Sequence, residues 1–327
     1  MSSSFVSLPV ARYQAVFVLE DRPRFSAFPG SAWRGALGHA LKRTVCVTRA
    51  PVCDDCPLYQ SCLYPYFFDS PPPPDSPKMR RYETAPHPFV LFPEGVTGDH
   101  EYRLGFTLIG HGIRHLPVFI HALKKCAEGE RGVANTHFQL LGVRQETALG
   151  SGSWKTIFEP GGALVVPPAQ PIEAPLLPAD IQMEVVTPLR LKRAGRHVGS
   201  REFQFSDLFG NLLRRISMLT THHTDASLEA DFQGLMALAR SVPCEATLKW
   251  QELTRYSARQ KTAMQMGGLV GTVRLHHHDL TPFWPYLWFG QWVHAGSGAT
   301  MGLGQYRVST SLSLPGEAPH RGTCGAP

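Results

Sequence analysis

The stretch His294-Ala-Gly296-Ser-Gly298-Ala-Thr-Met-Gly302-Leu-Gly304-Gln-Tyr306-Arg307 carries four glycines within nine residues. It joins an aromatic-rich helical pattern to a strand-like run at 305–311. Glycines this dense reach positive φ at little steric cost and let backbone amides approach a ligand, which suits them to phosphate. No Gly-Lys-Ser/Thr closes the segment, and its helix-then-strand order reverses that of a dinucleotide site. A nucleic-acid backbone therefore fits better than a nucleotide. A tight glycine-rich connection between helix and strand is the alternative reading.

Outward from this loop, 282–295 reads as a helix with Trp284, Trp288 and Trp292 on one face, the spacing of core packing. Upstream, 181–191, 246–256 and 268–275 read as strands, and 205–220 and 228–240 as helices. Five prolines in residues 167–178 mark a linker. The first half repeats the pattern. A strand at 13–19 leads to a helix at 31–43, with Ser31 as N-cap and Leu37, Leu41 and Val45 four residues apart. Strands follow at 89–92 and 102–109, a helix at 116–126, and strands near 138–144 and 154–158. Both halves are built in a β-α-β manner, which predicts an α+β protein with two similar halves. The expected domains are 1–165, with an insertion at 44–88, and 180–314, joined by a linker at 166–179. Residues 315–327 read as a disordered tail.

A chain of 327 residues, 43% apolar and 18% charged, is long enough for two cores. No apolar run approaches membrane-spanning length and no secretory signal is visible, so no membrane partner and a cytoplasmic location are expected. The net charge of +6 favours polyanionic partners. Residues 190–201 hold Arg190, Lys192, Arg193, Arg196 and Arg201 without an acid, as either a nucleic-acid contact or a solvated loop. Arg255, Arg259 and Lys261 alternate with an aromatic and hydroxyls, a mixture suited to an RNA backbone or to a polar hairpin.

Cys46, Cys53, Cys56 and Cys62 cluster within 17 residues, whereas Cys126, Cys244 and Cys324 are scattered. Clustered thiols in a chain without a secretory signal point to metal. Zinc fits four sulfur ligands best, with an iron–sulfur cluster second, and four ligands leave no open position. The expected role is structural, with no catalytic metal. On the first helix, His39 points away from the Leu37/Leu41 stripe, sharing its face with Arg43 and lying near Lys42. An imidazole among cations suits acid/base work on a phosphodiester. His294 either reaches a phosphate held by the glycine loop or caps a helix. His276-His277-His278 cannot all face one way on a strand and read as a solvent-facing strand end.

Trp33-Arg34-Gly-Ala-Leu-Gly-His39-Ala-Leu-Lys42-Arg43 running into the cysteine cluster and Tyr64-Pro65-Tyr66, then Arg255-Tyr256-Ser257, Gly267-Gly268-Leu-Val-Gly271 and the terminal glycine loop, together resemble the CRISPR repeat-processing endoribonucleases of the RAMP superfamily. Residues 95–175 add little to the likeness. The resemblance implies two tandem ferredoxin-like (RRM-like) domains. It also implies metal-independent cleavage of CRISPR repeat RNA, in which a 2′-hydroxyl attacks the phosphate to leave a 2′,3′-cyclic phosphate and a 5′-hydroxyl. His39 would then be base or acid, Lys42 and Arg43 charge stabilisers, and His294 the second acid/base candidate. Arg34, the basic residues named above, and Gly296, Ser297, Gly298, Gly302 and Gly304 would bind RNA. The partners implied are CRISPR repeat RNA or crRNA and other effector subunits; the alternative is a non-catalytic crRNA-binding RAMP subunit. Ser297 stands where many relatives place a lysine.

Overall fold

A computed structural model describes residues 8–19, 23, 25, 28–71, 85–98, 100–167, 172–257, 262–275 and 279–310. Arg259, Lys261, His276, His277, His278, Cys324, the expected tail and most of the 71–77 proline run lie outside the described residues.

The first half runs β1 (Val10–Leu19), α1 (Pro29–Val45), α2 (Leu63–Phe68), β2 (Phe89–Thr97), β3 (Glu101–Ile109), a 3-10 turn (Gly110–His115), α3 (Leu116–Ala127), β4 (Phe138–Glu146) and β5 (Trp154–Phe158). Its antiparallel sheet has the order β2-β3-β1-β4-β5. The second half runs β6 (Ile181–Leu189), β7 (Lys192–Arg193), β8 (Arg196–His197), α4 (Phe205–His223), α5 (Phe232–Ser241), β9 (Glu245–Gln251), β10 (Thr254–Ser257), β11 (Thr262–Gln265), β12 (Gly268–Leu275), α6 (Trp284–Val293), a 3-10 turn (Ala299–Met301) and β13 (Tyr306–Thr310). Its main sheet has the order β13-β6-β12-β9. In each half the first strand is central, flanked by the third and fourth strands of a βαββαβ unit, which is the ferredoxin-like arrangement twice over.

Local chemistry explains most of the elements and two departures. Helix α1 begins at Pro29 after Phe28, not behind a Ser31 cap, because proline's fixed φ suits the first helical turn. Trp33, Leu37 and Leu41 make its buried stripe, and the Trp33 indole donates to the Tyr102 hydroxyl at 3.0 Å. The run expected as one strand at 246–256 is split: β9 stays in the main sheet, while β10 pairs with β11 as a separate hairpin. Helix α5 starts later than 228, where the Asp231 carboxylate accepts from the Gly234 amide. The proline-rich stretch packs on the second half through Ile172, Ala174 and Leu177, and the Trp284 indole donates to the Pro175 carbonyl at 2.6 Å.

What joins the halves is β2. Phe89 and Leu91 belong to the first core, while Val90 and Phe92, pointing the other way, join the second. The second joint is the glycine loop, which presses on the start of α1. A Cβ at Gly30 would lie 1.7 Å from the Met301 carbonyl oxygen, and one at Gly302 would lie 2.6 Å from the Leu91 carbonyl oxygen. Only glycine permits this approach. Gly30→Ala is therefore expected to cost about 1–3 kcal/mol in chemical denaturation. Gly35→Ala, where an added Cβ meets nothing within 4 Å, should be neutral or mildly stabilising. Equal behaviour of the two variants would refute the joint.

Candidate nucleic-acid interface

Three arginines from three different elements grip the glycine loop. Arg34 of α1 donates through Nε to the Thr300 hydroxyl at 3.0 Å and stacks over Phe68. Arg190, just after β6, reaches the Ser297 hydroxyl at 3.4 Å and the carbonyls of Gln265 and Gly267 at 3.0 and 3.1 Å. Arg255 of β10 contacts the Met301 sulfur at 3.0 Å. The loop thus sits at the centre of a cationic junction, between the first helix and the two hairpins of the second half.

The expectation that the loop's amides form an open phosphate cradle needs correction. Gly296 donates to the Asn211 side chain at 2.7 Å, Ser297 to the Arg190 carbonyl and Gly304 to the Pro188 carbonyl. Gly302 donates to Ala299, and Leu303 to Gly298. Gly302 and Gly304 are buried, Gly296 and Gly298 are half-buried, and Ser297 is exposed. The positive φ values at all four glycines serve a compact turn that docks on α1, the connection reading of the sequence. Ser297 is the part that meets solvent.

His294 is corrected too. It is only 1% exposed, its Nδ1 lies 3.2 Å from the Leu303 carbonyl, and burial pushes its pKa down to about 3, so it neither reaches solvent nor caps through a charged ring. By contrast, His39 and Arg43 are exposed on α1. Lys42 turns aside: its ammonium lies over the Tyr64 ring, 5.4 Å from the centroid, and a hydrogen bond with Cys53 raises its pKa. His39 lies five residues beyond Arg34, about 7.5 Å along the helix. One exposed imidazole and one exposed guanidinium therefore share the helix whose first turns carry the loop.

On the second half, Lys192, Arg193, Arg196 and Arg201 are all exposed on and after the β7–β8 hairpin. Arg193 is already paired, its guanidinium meeting both Asp207 oxygens at 2.8 and 2.5 Å, so Lys192, Arg196 and Arg201 are the cations better placed for an anion. No group of three or more His, Cys, Asp or Glu side chains among the described residues stands at metal-binding spacing, so the preformed metal centre expected of the insertion is not found there.

Two half-buried cations escaped the sequence reading. Arg12 lies over Phe92, Trp154 and Trp292 at 4.9, 5.3 and 4.9 Å and pairs with Glu146 at 3.2 Å. Its signal was a charge inside a largely apolar strand, two residues before Gln14. Arg215 of α4 is half-buried, donates through Nε to the Val293 carbonyl at 2.9 Å, and has its pKa lowered to about 10 by desolvation. A helical arginine next to Arg214 carries no sequence mark of burial.

Residues 183–306 match the family model described as CRISPR-associated endoribonuclease Cas6, and residues 8–170 match a model described as an N-terminal domain. The chain is similar in fold to a solved Cas6 product complex, with a TM-score of 0.57, 15% identity and coverage of 92% of this chain and 99% of that one. It is also similar to Thermus thermophilus Cas6, with a TM-score of 0.52, 15% identity and coverage of 93% and 99%. A partial Cas6-RT-Cas1–Cas2 complex aligns at a TM-score of 0.54 and 13% identity, over 94% of this chain and 47% of that one. No curated protein matches. No helix among the described residues is long and apolar enough to cross a membrane.

His223 and His294 are buried and His87 is half-buried, and desolvation pushes the pKa values of His87, His223 and His294 down to about 3, 4 and 3. In the unfolded chain they titrate near 6.5. Between pH 6.5 and 4 the unfolded state thus binds protons that the folded state refuses. Their contribution is complete above 6.5 and is lost as pH falls, at up to about 1.4 kcal/mol per pH unit for each ring. Denaturant midpoints at pH 7.5, 6 and 5 should fall progressively, and His223→Gln should shallow the slope. A flat profile would contradict the neutral, buried assignment.

Proposed function

We propose that this chain, a member of the CRISPR-associated endoribonuclease Cas6 family, cuts repeat RNA in a precursor transcript and releases mature CRISPR RNA. The observation that carries the site assignment is the placement of exposed His39 and Arg43 on the one helix that Arg34 ties to the glycine loop. RNA lying across the loop and the β7–β8 hairpin would bring a scissile phosphate to that helix. Similarity in fold to a Cas6 solved with its product supports the same reading.

The reaction needs a base for the 2′-hydroxyl proton, an acid for the leaving 5′-oxygen and positive charge for the phosphorane. His39 supplies the proton transfer and Arg43 the charge. Lys42, held beside Cys53 and Tyr64, is a shorter-range reserve cation. The nucleophile belongs to the RNA itself, so no metal-bound water is called for, and the products are a 2′,3′-cyclic phosphate and a 5′-hydroxyl. Lys192, Arg196 and Arg201 contribute phosphate contacts that weaken with salt. Retention of the product would make the protein a subunit on which effector partners assemble.

Incubation with cognate repeat RNA in EDTA is expected to give one fixed cut with a cyclic phosphate end. His39→Ala should lower the single-turnover rate by about 10²–10⁴-fold while leaving the RNA dissociation constant nearly unchanged. Because His39 is exposed, the variant should keep its stability within about 0.5 kcal/mol. Wild-type protein that binds repeat RNA and never cuts it would overturn the catalytic assignment in favour of a crRNA-holding subunit.

A further inference from the structure

The segment from Cys46 to Cys62 connects α1 to α2 with neither helix nor strand, and none of its residues is buried. Val47, Val52 and Leu58 are 77%, 50% and 40% exposed. Seventeen residues without a core of their own do not hold one shape by hydrophobic burial, and segments of this kind depend on a covalent or metal staple. Its internal backbone bonds are short-range turns, such as Cys56 to Cys53, Tyr59 to Cys56 and Cys62 to Leu58.

Against that loose chain, the four thiols face a common pocket without yet standing at metal-binding spacing. Cys46, Cys53, Cys56 and Cys62 line a single pocket together with Lys42 and Tyr64. The Thr48 hydroxyl stands between two of them, 3.3 Å from the Cys56 sulfur and 4.0 Å from that of Cys46. Cysteine is among the most buried residue types, and four of them half-buried around one surface pocket serve no packing purpose. Cys46 caps the end of α1 and Cys62 the start of α2, so closure of the pocket would lock the two helices to each other.

We propose that Cys46, Cys53, Cys56 and Cys62 bind one zinc ion as a tetrathiolate, assembling the site on binding and stapling the 46–62 segment to the end of α1. The thiols approach one another as Thr48 moves out from between them, to sulfur–zinc distances of about 2.3 Å. Each ligating thiol gives up its proton, so binding releases protons to solvent. Four sulfurs fill a tetrahedron, leaving no position for activated water. Aspartates 54 and 55 are the nearby alternatives, and soft thiolates outcompete them for zinc.

Full-length protein purified from zinc-supplemented medium should carry one zinc per chain by elemental analysis. Cys53→Ser and Cys56→Ser should each lose it, and Cys244→Ser, outside the cluster, should keep it. The second readout is independent of those variants. Blocking the wild-type thiols with a mercurial reagent should release the zinc and expose the peptide bond after Arg49, an exposed residue within the segment, to trypsin at a rate at least tenfold higher. Iron in place of zinc, two disulfides among the four cysteines, or four freely titrating thiols in metal-replete protein would each overturn the site. RNA cleavage plays no part in these measurements, so they stand or fall apart from the nuclease assignment.

Discussion

The glycine loop pressed into the first turn of α1 is the constraint on which the rest of the molecule depends. Met301 donates no side-chain bond there; what matters is its carbonyl oxygen, set where Gly30 has no Cβ, and the Gly302 backbone set against Leu91. Backbone packed against backbone leaves few ways for the two halves to slide. Arg34, Arg190 and Arg255 then fix the loop from three sides. The exposed cations of the second half are thereby held in a defined relation to the exposed histidine of the first.

This changes what the glycines are for. Their density in the sequence suggests free amides, and the structure spends most of the relevant amides on internal acceptors. A buried amide without a partner would cost about as much as a lost hydrogen bond, so a loop packed this tightly must satisfy itself first. Positive charge, rather than amide geometry, is what this surface offers a phosphate.

The twofold β-α-β pattern was legible because hydrophobic periodicity and proline placement report local structure directly, as in α1 with Trp33, Leu37 and Leu41. The break between β9 and β10 was not, since no glycine or proline marks the corner and its one trace is the polar pair Gln251-Glu252 interrupting the alternation. His39 was readable as outward-facing from angle alone. His294 was not readable as buried, because its environment comes from the turn of its own loop back to Leu303 and from Phe92 and Arg215, distant in sequence, which only the folded chain assembles. Arg215 escaped for the same reason: a half-buried cation on a helix looks in sequence like any surface one.

Strand β2 carries a last implication. With Phe89 and Leu91 committed to one core and Val90 and Phe92 to the other, it behaves as a party wall shared by adjoining houses. A half synthesised alone would present a bare greasy stripe to water. The resemblance of two repeated units therefore does not make them interchangeable modules: on a ribosome, the first half waits for the second before its own surface is finished.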